Sequence, residues 1–270
     1  MKKSANITSK LYPTALLASL VILWQIISSV GLVPRFMLPS PLDVGRAFIN
    51  NLDDLARNAG ITLTEAFIGL GIGIVLGFVL AMLMDRFDGL YKAVFPLLII
   101  SQTIPTVAIA PLLVLWMGYG IAPKVTLIIL VCFFPIAVGL LDGFKAADPD
   151  AINLMRSMGA SKNQIFHHIK FPSSLPGFFS GLKIAVSYAI VGAVISEWLG
   201  GNQGLGVYMI RVKKSYSYDK MFAVILVIII ISLFLIKLTV WLERKIMPWT
   251  HLNTANDNMS ATETEGDQEL

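Results

Sequence analysis

Apolar runs of roughly 18 or more residues recur along the chain at 14–33, 61–84, 93–117, 125–142, 174–198 and 221–241, each set off by polar segments. A helix of that length spans the hydrocarbon core of a bilayer, so the pattern predicts an all-α polytopic membrane protein with six transmembrane helices. An even number of crossings puts both termini on one side. Between the first two runs, Pro34, Pro39 and Pro41 precede a polar helical pattern from Asp43 to Ala59. That segment is expected to form an external loop leading into an amphipathic helix along the membrane surface. Segment 200–220 is glycine-rich and then basic and aromatic, and predicts an external loop with a short helix.

Inside the runs, the informative positions are those that break the apolar pattern. Gly69, Gly73 and Gly77 recur at four-residue spacing, so one face of the second span is open to close helix packing. Pro96, Pro105 and Pro111 punctuate the third span and Pro135 the fourth. Such breaks survive in a bilayer where neighbouring helices or a water-filled path satisfy the freed carbonyls. Ser101, Gln102, Thr103 and Thr106 flank Pro105 and add hydrogen-bonding groups to an otherwise apolar run. Gln102, Thr103, Pro105 and Thr106 are therefore the candidate walls of a translocation path. Ionisable groups within spans are costly and are functional candidates by default, which adds Lys183 to the path. Lys183 is also placed to snorkel to the cytoplasmic surface, and Glu197, fourteen residues on, to the external interface.

The polar stretch 142–176 lies between the fourth and fifth spans and reads as a helix-turn-helix. Asp148 followed by Pro149 is an N-cap with proline in the first helical position. Gly159 can end that helix in a left-handed conformation. Ser161 and Gln164 have capping-box spacing for a second helix, which Pro172 is expected to stop near Phe171.

Gly159-Ala160, followed by Ile169-Lys170-Phe171-Pro172, resembles the cytoplasmic EAA loop of ABC importer permeases. That pattern runs Glu-Ala-Ala, three residues, Gly, nine residues, Ile-x-Leu-Pro. Here Asn153, Leu154 and Met155 occupy the first three positions, while the glycine, isoleucine and proline fall in register. Leu38-Pro39-Ser40-Pro41, Ile104-Pro105, Ala110-Pro111 and Glu197-Trp198-Leu199-Gly200 extend the resemblance to the branch that imports nitrate, sulfonates, taurine and pyrimidine precursors of thiamine. The resemblance implies a second permease copy, two cytoplasmic ABC ATPase subunits that bind the ATP, and an external solute-binding protein. It implies a bacterial inner-membrane location, with a cytoplasmic N-terminus at 1–13, a permease domain at 14–248 and a coupling loop at 143–173. Asn153, Leu154, Met155, Met158, Gly159, Ala160, Ile169 and Pro172 would form the surface that couples to the ATPase. Within the branch, the similarity leans toward a thiamine-precursor pyrimidine, with the anions nitrate, sulfonate and taurine as competitors.

Composition agrees with the spans: 56% of residues are hydrophobic, 14% are charged, and mean hydropathy is +0.73. Lysines and arginines outside the spans number 11 on the side of the termini and 8 on the other, which points to cytoplasmic termini. The tail after residue 249 holds five acidic residues and no lysine or arginine, and is expected to be disordered. The single Cys132 excludes an internal disulfide and a thiolate metal site. His167 and His168 are adjacent on a helix and point about 100° apart, so they share no metal. No basic run with interleaved aromatics suggests nucleic acid, and no nucleotide loop or hydrolase motif occurs. The chain is expected to be neither an enzyme nor the holder of a cofactor, and energy is expected from a separate subunit. An autonomous channel or secondary carrier is the alternative, but it gives the capped module no task.

Overall fold

The computed structural model describes residues 2–31, 33–34 and 36–249, with side chains from Tyr12 onward. The acidic tail lies outside the described residues, as do the side chains of most of the 1–13 segment. The described residues are helical almost throughout: α1 Lys2–Val30, α2 Pro41–Asn50, α3 Leu52–Arg86, α4 Asp88–Gln102, α5 Thr106–Met117 and α6 Ile121–Lys145. They continue with α7 Pro149–Ser157, α8 Lys162–Ile165, α9 Phe171–Gly200, α10 Leu205–Lys214 and α11 Tyr218–Ile246. α1, α3, α6, α9 and α11 are each long and apolar enough to cross a bilayer.

The third expected span is broken. α4 and α5 meet at 101°. Pro105 lacks an N–H and biases the residue before it away from helix, so Thr103 closes α4 by donating both its N–H and its hydroxyl to the Ile100 carbonyl. The broken pair still joins the two ends of the bundle. At its start, Lys145 at the end of α6 donates to the Tyr91 hydroxyl at 2.6 Å. Near its finish, Val114 lies against Gly200 at the end of α9. With α4 and α5 counted together, six crossings alternate in direction and bring the start of α1 and the end of α11 to the end that carries residues 143–173.

α6 and α9 form the centre of the bundle, and they touch backbone to backbone. A methyl group placed on Gly177 would overlap the Gly139 carbonyl, one on Gly181 the Pro135 carbonyl, and one on Gly143 the Ser174 backbone. Small residues let helices approach this closely, and packing contacts then replace the missing hydrophobic drive within a membrane. α3 lays its Gly69, Gly73 and Gly77 face on Ile128, Cys132 and Ile136 of α6, as helix packing requires. Ile128, Ile136, Leu140, Phe144, Phe179 and Ile190 fill the core where the three helices meet. A second apolar cluster, with Val44, Leu55, Leu205, Tyr208 and Val224, joins α2, the start of α3, α10 and α11 at the opposite end from the 143–173 loop.

That opposite end also buries a polar cluster. Lys124 of α6 pairs with Glu65 of α3 at 2.6 Å, with side-chain exposures of 7% and 5%. Glu197 was expected at the external interface, but it is 1% exposed. Its Oε1 accepts from the Thr62 hydroxyl at 2.7 Å and its Oε2 from the Gly206 N–H at 2.6 Å. The Leu205 N–H in turn donates to the Thr62 oxygen, and the Gly204 N–H to Asn58. Glu197 takes up the Gly206 N–H and Thr62 the Leu205 N–H that the first turn of α10 leaves free, and snorkelling gives way to capping.

The amphipathic segment at 43–59 divides. Ser40 and Asp43 form a reciprocal capping box that starts α2, which ends at Asn50, while residues from Leu52 already belong to α3. The second helix of the polar loop also departs from expectation, because Pro172 does not stop it. α8 passes through one π-turn, Phe166–Lys170, directly into α9, with Pro172 in the first turn of α9. The Phe171 N–H reaches back five residues to the Phe166 carbonyl. Widening the helix by one residue there accommodates a proline without terminating the helix.

Candidate functional site

Two regions carry the chemistry, one at the break between α4 and α5 and one at the turn between α7 and α8. At the break, three small cavities share Gln102 as a wall. The first, about 290 Å³, runs between Pro105, Thr106 and the Tyr188–Ile195 stretch of α9. The second, about 440 Å³, follows the close α6–α9 seam past Pro135, Gly139 and Gly181 to Asp142 and Ser180. The third, about 210 Å³, lies between Ser101, Thr106 and Leu127. Tyr188 borders the first two and is 48% exposed.

The bend makes this arrangement. A straight helix through 93–117 would stack Gln102 and Thr106 one turn apart on the same surface. The 101° turn at Pro105 instead folds the amide and the hydroxyl back toward α6 and α9. Gln102, Pro105 and Thr106 thus line one cavity together. Thr103 is not, because its hydroxyl closes α4 on Ile100. Lys183 is not a wall of these cavities either. It pairs with Glu243 of α11 at 2.6 Å, which replaces the free snorkelling lysine of the sequence expectation. Asp142 is the only charged side chain among the residues that line the three cavities.

Tyr188, Ser180 and the α6–α9 glycine seam did not emerge from the sequence. Gly139 with Gly143, and Gly177 with Gly181, have the same four-residue spacing as the glycines of the second span, so that signal was available. Nothing in the sequence singles out Tyr188 from other aromatic residues in the spans.

The turn between α7 and α8 is built largely as its residues dictate. The Asp148 side chain accepts from the Asp150 N–H at 2.9 Å, with Pro149 opening α7. Gly159 has φ +80°, and the N–H groups of Gly159 and Ala160 donate to the Arg156 and Met155 carbonyls. This left-handed closure satisfies carbonyls at the end of α7. Ser161 and Gln164 complete the capping box of α8, with the Ser161 N–H donating to the Gln164 side-chain oxygen at 2.7 Å. Leu154 on α7 and Met158 at its C-terminal cap are 63% and 77% exposed. Asn153 is also exposed, Met155 and Ala160 are half-buried, and Ile169 and Pro172 sit where the loop merges into α9. Behind the turn, Lys170 donates to both oxygens of Asp85 at the end of α3, at 2.7 and 2.9 Å. The loop is thereby tied to two spans.

Comparison with known proteins places these features. The chain is 38% identical over 240 residues to the formylaminopyrimidine transport permease protein ThiX of Halalkalibacterium halodurans, covering 88% of this chain and 96% of that protein. It is 27% identical over 241 residues to the taurine transport system permease protein TauC of Escherichia coli, covering 86% and 87%. Among solved structures, an inward-facing MetNI methionine ABC transporter matches with a TM-score of 0.62 at 20% identity, over 74% of this chain and 97% of that one. A bacterial ABC transporter involved in importing the acidic polysaccharide alginate matches with a TM-score of 0.63 at 17% identity, over 91% and 99%. Residues 73–248, which contain the bent span, the polar loop and the glycine seam, match the model of the binding-protein-dependent transport system inner membrane component, and the chain belongs to that family of multi-pass ABC importer permeases.

Proposed function

We propose that the chain is the membrane subunit through which a neutral heteroaromatic solute of the thiamine-precursor pyrimidine class enters the cell. The observation that carries the substrate class is the lining around Gln102 and Tyr188. It offers an amide, hydroxyls and an aromatic face, and no cation. A nitrate or sulfonate ion would cross this constriction without a counter-charge, at the cost that desolvated ions carry. A pyrimidine can stack on Tyr188 and exchange hydrogen bonds with Gln102. The formylaminopyrimidine permease is a relative in keeping with this chemistry. Sulfonate and taurine permeases are relatives too, and they supply the competing substrates for the test.

In the complete transporter, uptake of a labelled formylaminopyrimidine is expected to exceed that of taurine, and Tyr188→Ala to weaken it about threefold to tenfold, the range of one aromatic stacking contact. Taurine taken up in preference, or pyrimidine uptake unaffected by Tyr188→Ala, would overturn the substrate assignment. The permease itself would remain.

Energy in this reading comes from a separate pair of ABC ATPase subunits, which hold the ATP, and solute is handed over at the opposite face by a binding protein. The 143–173 end is then cytoplasmic, and α7 is the contact. Its exposed Leu154 and Met158 would enter an apolar groove on the ATPase, with Asn153, Met155 and Ala160 at the margins of the contact. Ile169 and Pro172 would pass the movement into α9. Closure of the ATPases would displace α7 and α8 and shift the bundle between inward- and outward-open states. A second permease copy completes the path.

Gly159→Val tests the lever. An added Cβ meets open space there, so the penalty is the positive φ alone, roughly 1–2 kcal/mol. The variant is expected to insert and to purify with its ATPase, yet to lose most solute-stimulated ATP hydrolysis. Normal stimulation and transport in Gly159→Val would sink the coupling role. A chain that purifies alone and moves solute without ATP would sink the subunit assembly as well.

A further inference from the structure

A fourth cavity, about 680 Å³, lies between the end of α3 and the α7–α8 turn, away from the Gln102 cavities. Its apolar walls include Met82, Leu83, Ile152 and Phe166, and Arg86, Arg156 and Lys162 stand around it. Asp85 also borders it, but Lys170 occupies both of its oxygens. Arg86, Arg156 and Lys162 have no carboxylate partner among the described residues. Three unneutralised cations beside an apolar cavity call for an anion joined to something apolar.

The geometry of α3 says what that apolar part is. Val75, Val79 and Met82 are exposed at intervals of four and three residues, so they form one stripe along the helix, and Arg86 is the next position on it. The stripe belongs to a span 35 residues long whose last residue is Arg86. An acyl chain lying on the stripe would therefore end with its headgroup at Arg86, where the helix leaves the hydrocarbon.

We propose that this cavity binds the phosphate headgroup of an anionic phospholipid, held by Arg86, Arg156 and Lys162, with its acyl chain along the Val75–Met82 stripe. The functional reading supplies only the leaflet, the cytoplasmic one. Because Arg156 lies on α7 and Arg86 on α3, a bound lipid bridges the α7–α8 loop to a span. Basic pockets of this kind at the cytoplasmic face favour anionic lipids, and each cation near the surface contributes a factor of about five in affinity.

The test is lipid retention by the full purified chain in mild detergent, offered phosphatidylglycerol and phosphatidylcholine together and read by native mass spectrometry. Phosphatidylglycerol is expected to be retained at least about tenfold over phosphatidylcholine. The Arg86→Gln/Lys162→Gln variant is expected to lower that retention about thirtyfold. Arg86→Lys/Lys162→Arg, which keeps both charges, should retain the lipid and so controls for folding. Arg211→Gln/Lys213→Gln at the far end should change nothing. Equal retention of the two lipids, or equal retention by wild type and the Arg86→Gln/Lys162→Gln variant, overturns the proposal. Displacement by millimolar inorganic phosphate would make the ligand a free anion and overturn the lipid assignment. Loss of ATPase association instead of lipid would assign the three cations to a protein interface, and the proposal falls. Since retention needs neither ATPase nor solute, its failure leaves the importer reading intact.

Discussion

Lys124→Met is expected to destabilise the folded chain by about 3–5 kcal/mol, the cost of leaving one member of a buried ion pair without its partner. At roughly 1.4 kcal/mol per factor of ten, that shifts the folding equilibrium by more than a hundredfold. Glu65 would be left buried without its counter-charge, and its Oε2 already has no hydrogen-bond partner among the described residues. Glu197, joined to the same region of α3 through Thr62, adds a second carboxylate nearby. The companion variant Glu65→Leu/Lys124→Met removes both charges and is expected to recover most of the loss, because apolar replacement of a complete buried pair is often neutral or stabilising. Thermal unfolding of the purified proteins in detergent checks both. A Lys124→Met protein as stable as wild type, or a double variant no better than the single, would show that the pair is not what holds α3 on α6 at this end.

Why the sequence concealed this cluster is a matter of which residues can be paired by inspection. Glu65 and Lys124 are separated by 59 positions, and Thr62 and Glu197 by 135. Their contacts exist only once α3, α6 and α9 are packed. A glutamate near the end of a span has two ways to avoid hydrocarbon, reaching to water or accepting N–H groups, and local sequence does not choose between them. Local capping chemistry was far more legible. Asp148, Gly159, Ser161 and Gln164 act within a few residues of themselves, and each takes the role its type and spacing predict. Pro172 misleads for an instructive reason: proline forbids one N–H donor, and a single π-turn removes the need for it. The bent span falls between these cases. Pro105 and its polar neighbours announce a break, but only the packed structure says that the break turns Gln102 toward Tyr188.

Gly177→Val should lose most of the folded chain, while Gly71→Val, on the same type of apolar helix, should be tolerated. Overpacking a close-packed core usually costs about 1–3 kcal/mol, because neighbours shift to admit the added atoms. At Gly177 the obstructing atom is the Gly139 carbonyl, with Gly143 N close behind, so no side-chain rotamer can relieve it. The helices must separate, and the seam that forms one wall of the Asp142 and Ser180 cavity would open with them. The penalty is therefore expected at or above about 3 kcal/mol. Gly71 has nothing within 4 Å of an added Cβ, so the same substitution there measures only the effect of a β-branched residue in an apolar helix. Size-exclusion profiles of fluorescently tagged variants distinguish the two, with a monodisperse peak for Gly71→Val and aggregate for Gly177→Val. If Gly177→Val ran as a sharp wild-type peak, α6 and α9 would have to stand farther apart than the backbone contact at Gly139 allows. The cavity lined by Gln102 and Tyr188 would then be wider than a constriction that strips solvent from an anion, and the proposed preference for a neutral solute would lose its physical basis.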